Sequence, residues 1–544
     1  MDLKTFVIFL AFLCVCSWPA ASVRLLTKSR WIVDEESGGR VKLACVNLVS
    51  HLESMLTEGL NRQPLKYIAN TVFSQGFNCV RLTWATFMVT KPEYQSLTVT
   101  SSLMSLNLSS AVDGIRANNP EFLDLSLIEA LKRVAMGLGE AGLMVILDNQ
   151  VSKPQWCCAL HDGNAFFGDE YFDPQAWLLG LTTVASAFIN VSAVVGMSLR
   201  NELRGPRSNL TDWYTYMQAG AAAVHAANPD VLVILSGLNY DADLKFLAAK
   251  PVNLLGFGNK IVYELHWYSF TDGNAWEKGN ANDLCGSVTA RINDHMAFVV
   301  RNSSTFSASP LFVSEFGIDQ RGVSVKDNKY INCFLAFAAD GDFEWALWTL
   351  QGSYYLRNKQ PGFEETYGIF NARWDGLRNP VFVAKLKPLQ QPFQVPFSSS
   401  QEAWYQIIYH PASGLCVAVS KGDLKLDSCD GHGLFAFKAS EEALGLSDDS
   451  QCIAAQGEGQ APVLSGICNN PNSAWQIVST SKLQIAVNGS IAMLCLDGRS
   501  SPLLLTSKCI CLMDSGCGND EALEMQWFKV ISTNRKYISN STTT

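Results

Sequence analysis

Two glutamates that are far apart in the chain each accompany a short apolar segment. Glu202 follows the segment Val194–Leu199, and Glu315 lies within the segment Leu311–Phe316. If both segments are parallel strands of one barrel, their carboxyl groups reach the same rim. Facing carboxyl groups are what cleavage of a glycosidic bond requires, because one must be held protonated as an acid while the other stays ionised to attack. The pair therefore predicts glycoside hydrolysis.

Other polar and aromatic residues occur near the ends of further apolar segments. Arg81 lies in such a segment, where a buried guanidinium could keep a nucleophilic carboxylate ionised and oriented. His266 and Tyr268 are two residues apart, which puts both on one side of a strand. Trp348 offers a flat apolar face for a sugar ring. As a set, these side chains predict a sugar-binding site around the two glutamates.

The region from about residue 40 to residue 385 alternates short apolar segments with helical patterns. The segments are continuously apolar, which is typical of parallel strands covered by helices, and eight such units suit an α/β fold of the (β/α)8 TIM barrel type. The segment Lys91–Pro120 shows no clear periodicity and is expected to form a long loop. The clearest predicted helices are Leu123–Gly142 and Leu210–Ala227. The predicted strands are Val41–Asn47, Asn78–Trp84, Leu143–Asp148, Val194–Leu199, Val231–Leu235, Ile261–Tyr268, Leu311–Phe316 and Glu344–Leu350.

The first residues have the pattern of a secretory signal peptide. Lys4 precedes the apolar segment Phe6–Cys16, and small residues follow up to Ala21. The apolar segment is too short to span a membrane, so we expect residues 1–21 to be cleaved and the chain to be secreted and extracellular; an uncleaved anchor is the alternative. Removal of two of the 16 cysteines leaves 14, an even number suited to disulfides. Potential glycosylation sites are Asn107, Asn190, Asn209, Asn302, Asn488 and Asn540.

Composition excludes several classes of protein. The apolar share of 48% excludes a disordered chain, and a net charge of −9 argues against nucleic-acid binding, which needs a basic surface. Beyond the signal peptide no segment is long and apolar enough to predict a membrane span. Metalloprotease, P-loop and nucleophile-elbow motifs are absent from the sequence, and neither a metal nor an organic cofactor is expected. An uncharged polysaccharide or oligosaccharide is the expected partner, and the chain is expected to be a monomer.

The last third of the chain has a different texture. Prolines and serines indicate a linker at residues 388–402, after a barrel domain at residues 22–387. Cysteines then recur in pairs whose first members are 36 and 43 positions apart, which indicates one unit used three times. The expected disulfide pairs are Cys416/Cys429, Cys452/Cys468 and Cys495/Cys509.

Residues 403–535 resemble the ricin-B-type β-trefoil lectin family, on the three cysteine pairs and the pair Gln526–Trp527. The resemblance implies an all-β trefoil domain in which an aspartate after the first cysteine of a unit binds sugar. Only the third unit keeps this acid, as Asp497, so one sugar site at most is expected; a purely structural domain is the alternative. Residues 536–544 are expected to form a flexible tail.

Residues from about 41 to 385 resemble glycoside hydrolase family 5, the cellulase family, and most closely its plant-type members with a trailing ricin-B-like domain. The pairs Asn201–Glu202 and Ser314–Glu315 are the most specific part of the match. The resemblance implies that Glu202 is the acid/base and Glu315 the nucleophile. It further implies a sugar 2-hydroxyl contact for Asn201, support of Glu315 by Arg81 and Tyr268, a place beside the acid/base for His266, the floor of the sugar subsite for Trp348 and a further subsite contact for His51.

Two positions depart from the family pattern. Gln150 stands where the family usually has a histidine, and glutamine can hydrogen-bond a hydroxyl but cannot carry charge. Leu48 stands where close relatives tend to have an aromatic residue. Both departures predict altered subsite binding rather than different chemistry.

The adjacent cysteines at positions 157 and 158 do not match a metal-binding pattern. In a secreted barrel we expect them to bridge to other cysteines such as Cys285 or Cys333, with the connectivity left open.

The sequence thus predicts a secreted retaining hydrolase of β-glycosidic bonds, acting on a cell-wall glucan or mannan by double displacement. The alternative is a carbohydrate-binding, lectin-like protein whose hydrolase barrel is weak or inactive.

Overall fold

The computed structural model describes residues 23–252, 256–396, 404–420, 422–429, 437–439, 444–446, 451–512, 517 and 523–534. The predicted signal peptide, residues 397–402 of the predicted linker, the predicted tail and the sequon at Asn540 lie outside the described residues.

Eight parallel strands form a closed barrel. The last strand closes it, because Trp345 lies opposite Ala44 of the first strand and opposite Val313 of the seventh. The (β/α)8 prediction is confirmed, and every predicted strand is present with ends that shift by three residues at most. The strands are β1 (Ala44–Leu48), β2 (Cys79–Ala85), β3 (Met144–Val151), β4 (Val194–Ser198), β5 (Leu232–Leu235), β6 (Ile261–His266), β7 (Leu311–Phe316) and β8 (Glu344–Leu347).

Helices surround this barrel, and local caps fix where several begin. The predicted helix Leu123–Gly142 begins only after Ser126, whose hydroxyl accepts the backbone N–H of Glu129 while the Glu129 carboxylate accepts that of Ser126. The helices are α1 (Leu65–Ser74), α2 (Phe87–Thr90), α3 (Pro92–Gln95), α4 (Val99–Ser105), α5 (Ser109–Asn118), α6 (Leu127–Glu140), α7 (Pro174–Ala187), α8 (Leu210–Ala227), α9 (Ala275–Lys278), α10 (Ala281–His295), α11 (Val325–Gly341) and α12 (Pro380–Lys385). None of these described helices is long and apolar enough to cross a membrane.

The prediction of a long loop at Lys91–Pro120 is wrong, because this segment contains α3, α4 and α5. The helix α4 begins at a reciprocal cap in which the side chains of Thr98 and Ser101 each bond the other residue's backbone N–H. Three apolar side chains of α5 are buried on one face, at Ala111, Val112 and Ile115. These helices are short and rich in serine, so periodicity hides them while caps and packing stabilise them.

The barrel interior has an apolar lower part and a polar upper part. The lower part includes Cys45, Ile146 and Phe312, and the hairpin of Leu25–Lys28 and Trp31–Asp34 packs Leu25 and Ile32 into it. Charged side chains replace apolar ones toward the carboxyl ends of the strands. The interior therefore supports one functional end and closes the other.

The C-terminal region consists of antiparallel strands in an eight-stranded and a four-stranded sheet. One apolar core joins them and includes Val417, Ile453, Leu496 and Phe528. The all-β prediction is confirmed for this region. The strands are Tyr405–His410, Leu415–Ser420, Asp423–Asp427, Phe437–Ala439, Leu444–Leu446, Cys452–Ala454, Val463–Ser465, Gln476–Ile477, Ile485–Asn488, Met493–Asp497, Leu505–Lys508 and Lys529–Thr533.

Asn282 at the start of α10 joins the two regions. Its amide N–H donates to the Gln484 side chain at 2.8 Å, and its oxygen accepts from the Trp527 indole at 2.9 Å. Lys529 pairs with Asp340 of α11 at 2.9 Å. The C-terminal region therefore contacts the barrel through buried polar contacts on α10 and an ion pair on α11.

Fourteen cysteines form seven disulfides among the described residues. The three pairs predicted in the C-terminal region are confirmed. The expectation that cysteines 157 and 158 bridge to Cys285 or Cys333 is wrong, because the neighbours join each other and Cys285 joins Cys333. Pairing of adjacent residues needs no second segment of chain nearby. The remaining pairs are Cys45–Cys79 and Cys511–Cys517.

Candidate active site

A cavity of about 850 Å³ lies at the carboxyl ends of the barrel strands. Seven of the ten predicted site residues line this cavity, and two more, Arg81 and Asn201, are buried beside them. Asp497 alone lies elsewhere, in the C-terminal region. The seven lining residues are His51, Gln150, Glu202, His266, Tyr268, Glu315 and Trp348.

Glu315 on β7 is held by two donors. Arg81 donates to its Oε1 at 2.8 Å, and the Tyr268 hydroxyl donates to its Oε2 at 2.9 Å. Burial alone raises the pKa of this carboxyl group, but His266 and Arg81 outweigh it and hold the pKa of Glu315 below its usual range. The carboxylate is therefore ionised, oriented and open to the cavity.

Glu202 is placed differently, in the loop after β4. Its backbone has a φ of 48°, in the left-handed region, and the carboxylate of Asp241 accepts its backbone N–H at 2.8 Å. This strained turn points the side chain into the cavity, where Oε1 lies 2.9 Å from Nδ1 of His266. Among the described residues, no arginine or lysine pairs with the Glu202 carboxylate, and Arg204 donates only to the Glu202 backbone oxygen, at 2.7 Å.

His266 lies between the two glutamates. Its Nδ1 is 2.9 Å from Glu202 and 3.8 Å from Glu315, and its Nε2 is 3.0 Å from the Ser314 hydroxyl. Burial lowers the pKa of a histidine, but the charges of Glu315, Asp241 and Glu202 together raise the pKa of His266 to about 10. The imidazole is therefore a cation at neutral pH.

The two carboxyl groups face each other across a short gap. One oxygen of Glu202 and one of Glu315 lie within 4.8 Å of each other and of a His266 nitrogen. Such a set of ligand atoms resembles a metal site, but a histidine ligand must be deprotonated, and the pKa of His266 opposes that. The arrangement suits acid/base and nucleophilic chemistry better than metal binding.

Beneath the cavity, Arg81 organises a buried polar layer. Besides Glu315, its guanidinium contacts Asn47 at 2.9 Å, Asn201 at 3.0 Å and Asp148 at 2.8 Å. Burial raises the pKa of Asp148 to about 7, although Arg81 opposes that shift. One strongly basic side chain thus supports both the Glu315 carboxylate and the Asn201 amide.

Aromatic side chains form two walls. Trp348 packs edge-to-face against Trp156, and the Arg357 guanidinium lies 3.4 Å above the centroid of the Trp156 ring. Across the cavity, the half-exposed Phe270 stacks on Tyr268 with ring centroids 4.7 Å apart. Flat apolar faces beside carboxylates suit the alternating apolar and hydroxyl surfaces of a sugar.

Two buried polar atoms face this cavity without a protein partner. The Thr83 hydroxyl accepts the backbone N–H of Ser50 and lies 2.8 Å from Nδ1 of His51. Burial lowers the pKa of His51 to about 3, so this ring is neutral. Nε2 of His51 and Oε1 of Gln150 have no hydrogen-bond partner among the described residues. They are two polar atoms available to a ligand.

Several residues of the site were not predicted from the sequence. Phe270 carried a signal, because it lies just beyond the predicted strand Ile261–Tyr268, whereas Trp156 lies further on, in the loop after β3. Asp241 and Arg357 gave none, because Asp241 lies in the loop after β5 and Arg357 in the two-residue strand Leu356–Arg357, which only the folded chain brings to the rim.

Asp497 is 1% exposed, and both of its oxygens are bonded. Arg499 reaches it at 2.6 Å and Gln526 donates to it at 3.1 Å. A second cavity, of about 330 Å³, lies where the barrel meets the C-terminal region and does not include Asp497. Sugar binding by Asp497 stays a prediction.

Comparisons with known proteins agree with this geometry. The sequence profile of the cellulase family, glycosyl hydrolase family 5, matches residues 46–353. A glycosyl hydrolase 5 family protein of Chamaecyparis obtusa is 51% identical over 532 residues, which cover 96% of this chain and 95% of the relative. The major extracellular endoglucanase of Xanthomonas campestris is 24% identical over 385 residues, covering 67% and 71%.

Among solved structures, a hyperthermophilic endocellulase of the archaeon Pyrococcus horikoshii matches with a TM-score of 0.54 at 19% identity. The match covers 68% of this chain and 99% of that one, and it shows the barrel fold. With the family profile over more than half of its length and a relative at 51% identity, the chain is a glycosidase that belongs to glycosyl hydrolase family 5.

Proposed function

We propose that the chain is a retaining hydrolase of β-glucans, with Glu315 as the nucleophile and Glu202 as the acid/base. The observation that carries the proposal is the gap of less than 4.8 Å between their carboxylate oxygens. The carboxyl groups of retaining enzymes are about 5–5.5 Å apart, whereas those of inverting enzymes are about 6.5–9.5 Å apart to leave room for a water molecule. A gap this short between the nearest oxygens fits the retaining class.

The environments of the two glutamates support these roles. Glu315 is ionised and fixed by Arg81 and Tyr268, as a nucleophile must be. Glu202 is more exposed, with a side chain 14% accessible against 6% for Glu315, and it is joined to an ionisable partner, His266. That partner gives Glu202 a route to gain and lose a proton.

The reaction has two steps. In the first, Glu202 protonates the glycosidic oxygen, the bond from that oxygen to the anomeric carbon breaks, and a Glu315 oxygen forms a bond to the same carbon. In the second, a water molecule gives a proton to Glu202 and its oxygen attacks the anomeric carbon, which releases Glu315. The sugar retains its configuration after two inversions.

His266 responds to the progress of the reaction. While Glu315 is ionised, its charge favours the proton on His266. When Glu315 becomes a neutral ester, that attraction is lost and His266 releases its proton more readily. The Glu202 oxygen, 2.9 Å away, lies within hydrogen-bond reach of that proton.

Similar proteins support β-glucan as the substrate. Two of them, from Xanthomonas campestris and Paenibacillus polymyxa, are endoglucanases, and one of the similar endocellulase structures is a complex with cellotetraose. The aromatic walls around Trp348 and Phe270 fit a chain of glucose rings.

For the C-terminal region we propose a ricin-B-type β-trefoil, at residues 403–535, joined by a linker at residues 388–402. Three disulfide-closed units that share one apolar core support this, as does the buried pair Gln526–Trp527. We also propose secretion to the extracellular space with removal of residues 1–21, supported by seven disulfides and by exposed side chains at five sequons.

The proposal for the barrel is tested with a 2-deoxy-2-fluoro-cellobioside that carries a good leaving group. We expect it to inactivate the enzyme and to add one 2-deoxy-2-fluoro-cellobiosyl group, a disaccharide, to Glu315, which peptide mass spectrometry detects. NMR of early cellotetraose hydrolysis should show the β-anomer first. An adduct on another residue, or an α-anomer product, would contradict the proposal.

Glu315→Gln is the variant for this test. We expect turnover to fall on the order of 10⁴-fold or more, because the nucleophile is lost. Glu364→Gln is the matched control, since Glu364 lines the same cavity but pairs with Arg378 at 2.7 Å and should leave turnover little changed.

A further inference from the structure

The loop after β3 brings an unusual group to the wall of the active site. Cys157 and Cys158 are joined to each other, and both line the cavity. A sulfur atom of each lies within 4.8 Å of a carboxylate oxygen of Glu202. The disulfide therefore adjoins the proposed acid/base.

The two sulfur atoms also contact Asn201. The amide nitrogen of Asn201 donates to Sγ of Cys157 at 3.6 Å and to Sγ of Cys158 at 3.4 Å. On its other side, the amide oxygen of Asn201 accepts from Arg81 at 3.0 Å. Arg81 can only donate and disulfide sulfur can only accept, so the two contacts together fix which way the amide faces.

We propose that the Cys157–Cys158 disulfide is a positioning element for the Asn201 amide and thereby sets how strongly the enzyme uses the sugar 2-hydroxyl. This inference rests on the proposed hydrolase function of the same site and on the contact between Asn201 and the sugar 2-hydroxyl that the family resemblance implies. Hydrogen bonds to the 2-hydroxyl strengthen in the transition state of glycoside hydrolysis, so the direction of this amide bears on the rate.

The covalent bond between the cysteines matters for this role. Two free thiols rotate independently and can donate as well as accept, so they do not hold the amide nitrogen in one direction. The disulfide removes both freedoms and presents two fixed acceptors. A disulfide that only stabilised the loop would change kcat/KM by the same factor for both substrates.

The test compares two substrates across four forms of the enzyme. The substrates are 4-nitrophenyl β-cellobioside and its analogue without the 2-hydroxyl on the sugar at the cleaved bond. The forms are wild type, Asn201→Ala, the double variant Cys157→Ser/Cys158→Ser, and the combination of all three substitutions. We measure the ratio of kcat/KM for the substrate with the 2-hydroxyl to kcat/KM for the analogue without it.

We expect the cysteine double variant to lower this ratio by about tenfold, toward the ratio of Asn201→Ala, because the 2-hydroxyl contact weakens. Combining the cysteine double variant with Asn201→Ala should change the ratio no further than Asn201→Ala alone, since both remove the same interaction. The matched control Cys511→Ser/Cys517→Ser breaks another short-range disulfide, whose residues do not line the cavity, and should leave the ratio unchanged.

An equal loss on both substrates, or independent effects of the two substitutions, would overturn the inference. Circular dichroism checks the fold of each variant, and Cys157→Ala/Cys158→Ala is used if the serine pair does not fold. If neither pair gives a folded chain, the disulfide acts in folding alone and the inference is wrong. A wild-type enzyme with neither turnover nor cellotetraose binding would overturn the proposed function itself.

Discussion

Glu315 in the barrel and Asp497 in the C-terminal region are both buried acids beside an arginine. Their surroundings differ. Glu315 opens onto a cavity where buried atoms of His51 and Gln150 lack protein partners. Asp497 has both oxygens bonded by Arg499 and Gln526. A bonded carboxylate that opens onto a cavity with unpartnered polar atoms indicates a ligand site, whereas a bonded carboxylate without such a cavity indicates a structural contact.

The Asp497 contacts continue to the barrel. The Gln526 oxygen accepts from Gln484, whose own oxygen accepts from Asn282 on α10. The residue types associated with sugar binding in a lectin unit are here part of a hydrogen-bonded chain between two regions. Residue type alone therefore does not separate a ligand contact from a docking contact.

The largest expected effect comes from Arg81→Met. Loss of this guanidinium leaves Asp148, Glu264 and Glu315 buried without their shared cation. We expect the free energy of unfolding to fall by about 3–5 kcal/mol, measured by urea denaturation. Turnover should also be lost, because Glu315 is no longer held ionised.

Arg499→Met is the matched change in the C-terminal region. The Arg499 side chain is 47% exposed, so its ion pair with Asp497 is screened by water. We expect a cost of no more than about 1 kcal/mol and unchanged hydrolysis. Equal destabilisation by Arg81→Met and Arg499→Met would contradict the difference we infer between the two buried acids.

The second effect concerns pH and His266→Asn. Because the folded-state pKa of His266 is raised to about 10, its stabilising contribution is fully present below about pH 6.5, the usual histidine value, and is lost as pH rises through 10. The wild type should therefore lose Tm between pH 7 and 10 more steeply than the variant. The variant should also lose activity at a higher pH on the acid side, since the pKa of Glu315 rises without this cation.

His410 in the C-terminal region provides the opposite case. Burial lowers its pKa to about 4, so its contribution is present above about pH 6.5 and is lost as pH falls toward 4. His410→Asn should change the acid side of the Tm profile and leave the alkaline side alone. Identical profiles for the two histidine variants would contradict the assigned charges.

The third effect is that of Asp497→Ala. The substitution leaves the fully buried Gln526 with one amide donor unpaired. We expect the free energy of unfolding to fall by about 1–3 kcal/mol, with kcat/KM for cello-oligosaccharides unchanged. A loss of hydrolysis without loss of stability would show that Asp497 acts on the substrate.

Sequence patterns predicted the barrel well, because continuous apolar strands such as Val194–Ser198 have few alternative structures. They failed at α3 to α5, where a reciprocal cap at α4 and an apolar face on α5 stabilise helices that propensity does not favour. They also failed at Cys157 and Cys158, since neighbouring cysteines offer no spacing signal for pairing with each other.

The site was predicted as far as residue types at strand ends allow. Glu202, His266 and Glu315 were identified because each lies at or near the end of an apolar strand. The sequence could not predict that both oxygens of Asp497 are bonded within the chain. One of these bonds comes from Gln526, which is almost 30 residues away and contacts Asp497 only in the folded chain. Which polar atoms remain free is a property of the packed chain.

The smallest expected effect is that of a substitution at Gln150, in the barrel site. Its amide reaches Glu315 at only 3.4 Å, near the limit of a hydrogen bond, and its oxygen has no partner among the described residues. Gln150→His restores the usual family residue and replaces a flexible amide by a rigid ring. We expect kcat/KM for 4-nitrophenyl β-cellobioside to change by less than about tenfold, because one weak neutral contact replaces another. A loss of a hundredfold or more would mean that the Gln150 oxygen binds a specific sugar hydroxyl, and the departure at this position would then be part of substrate recognition.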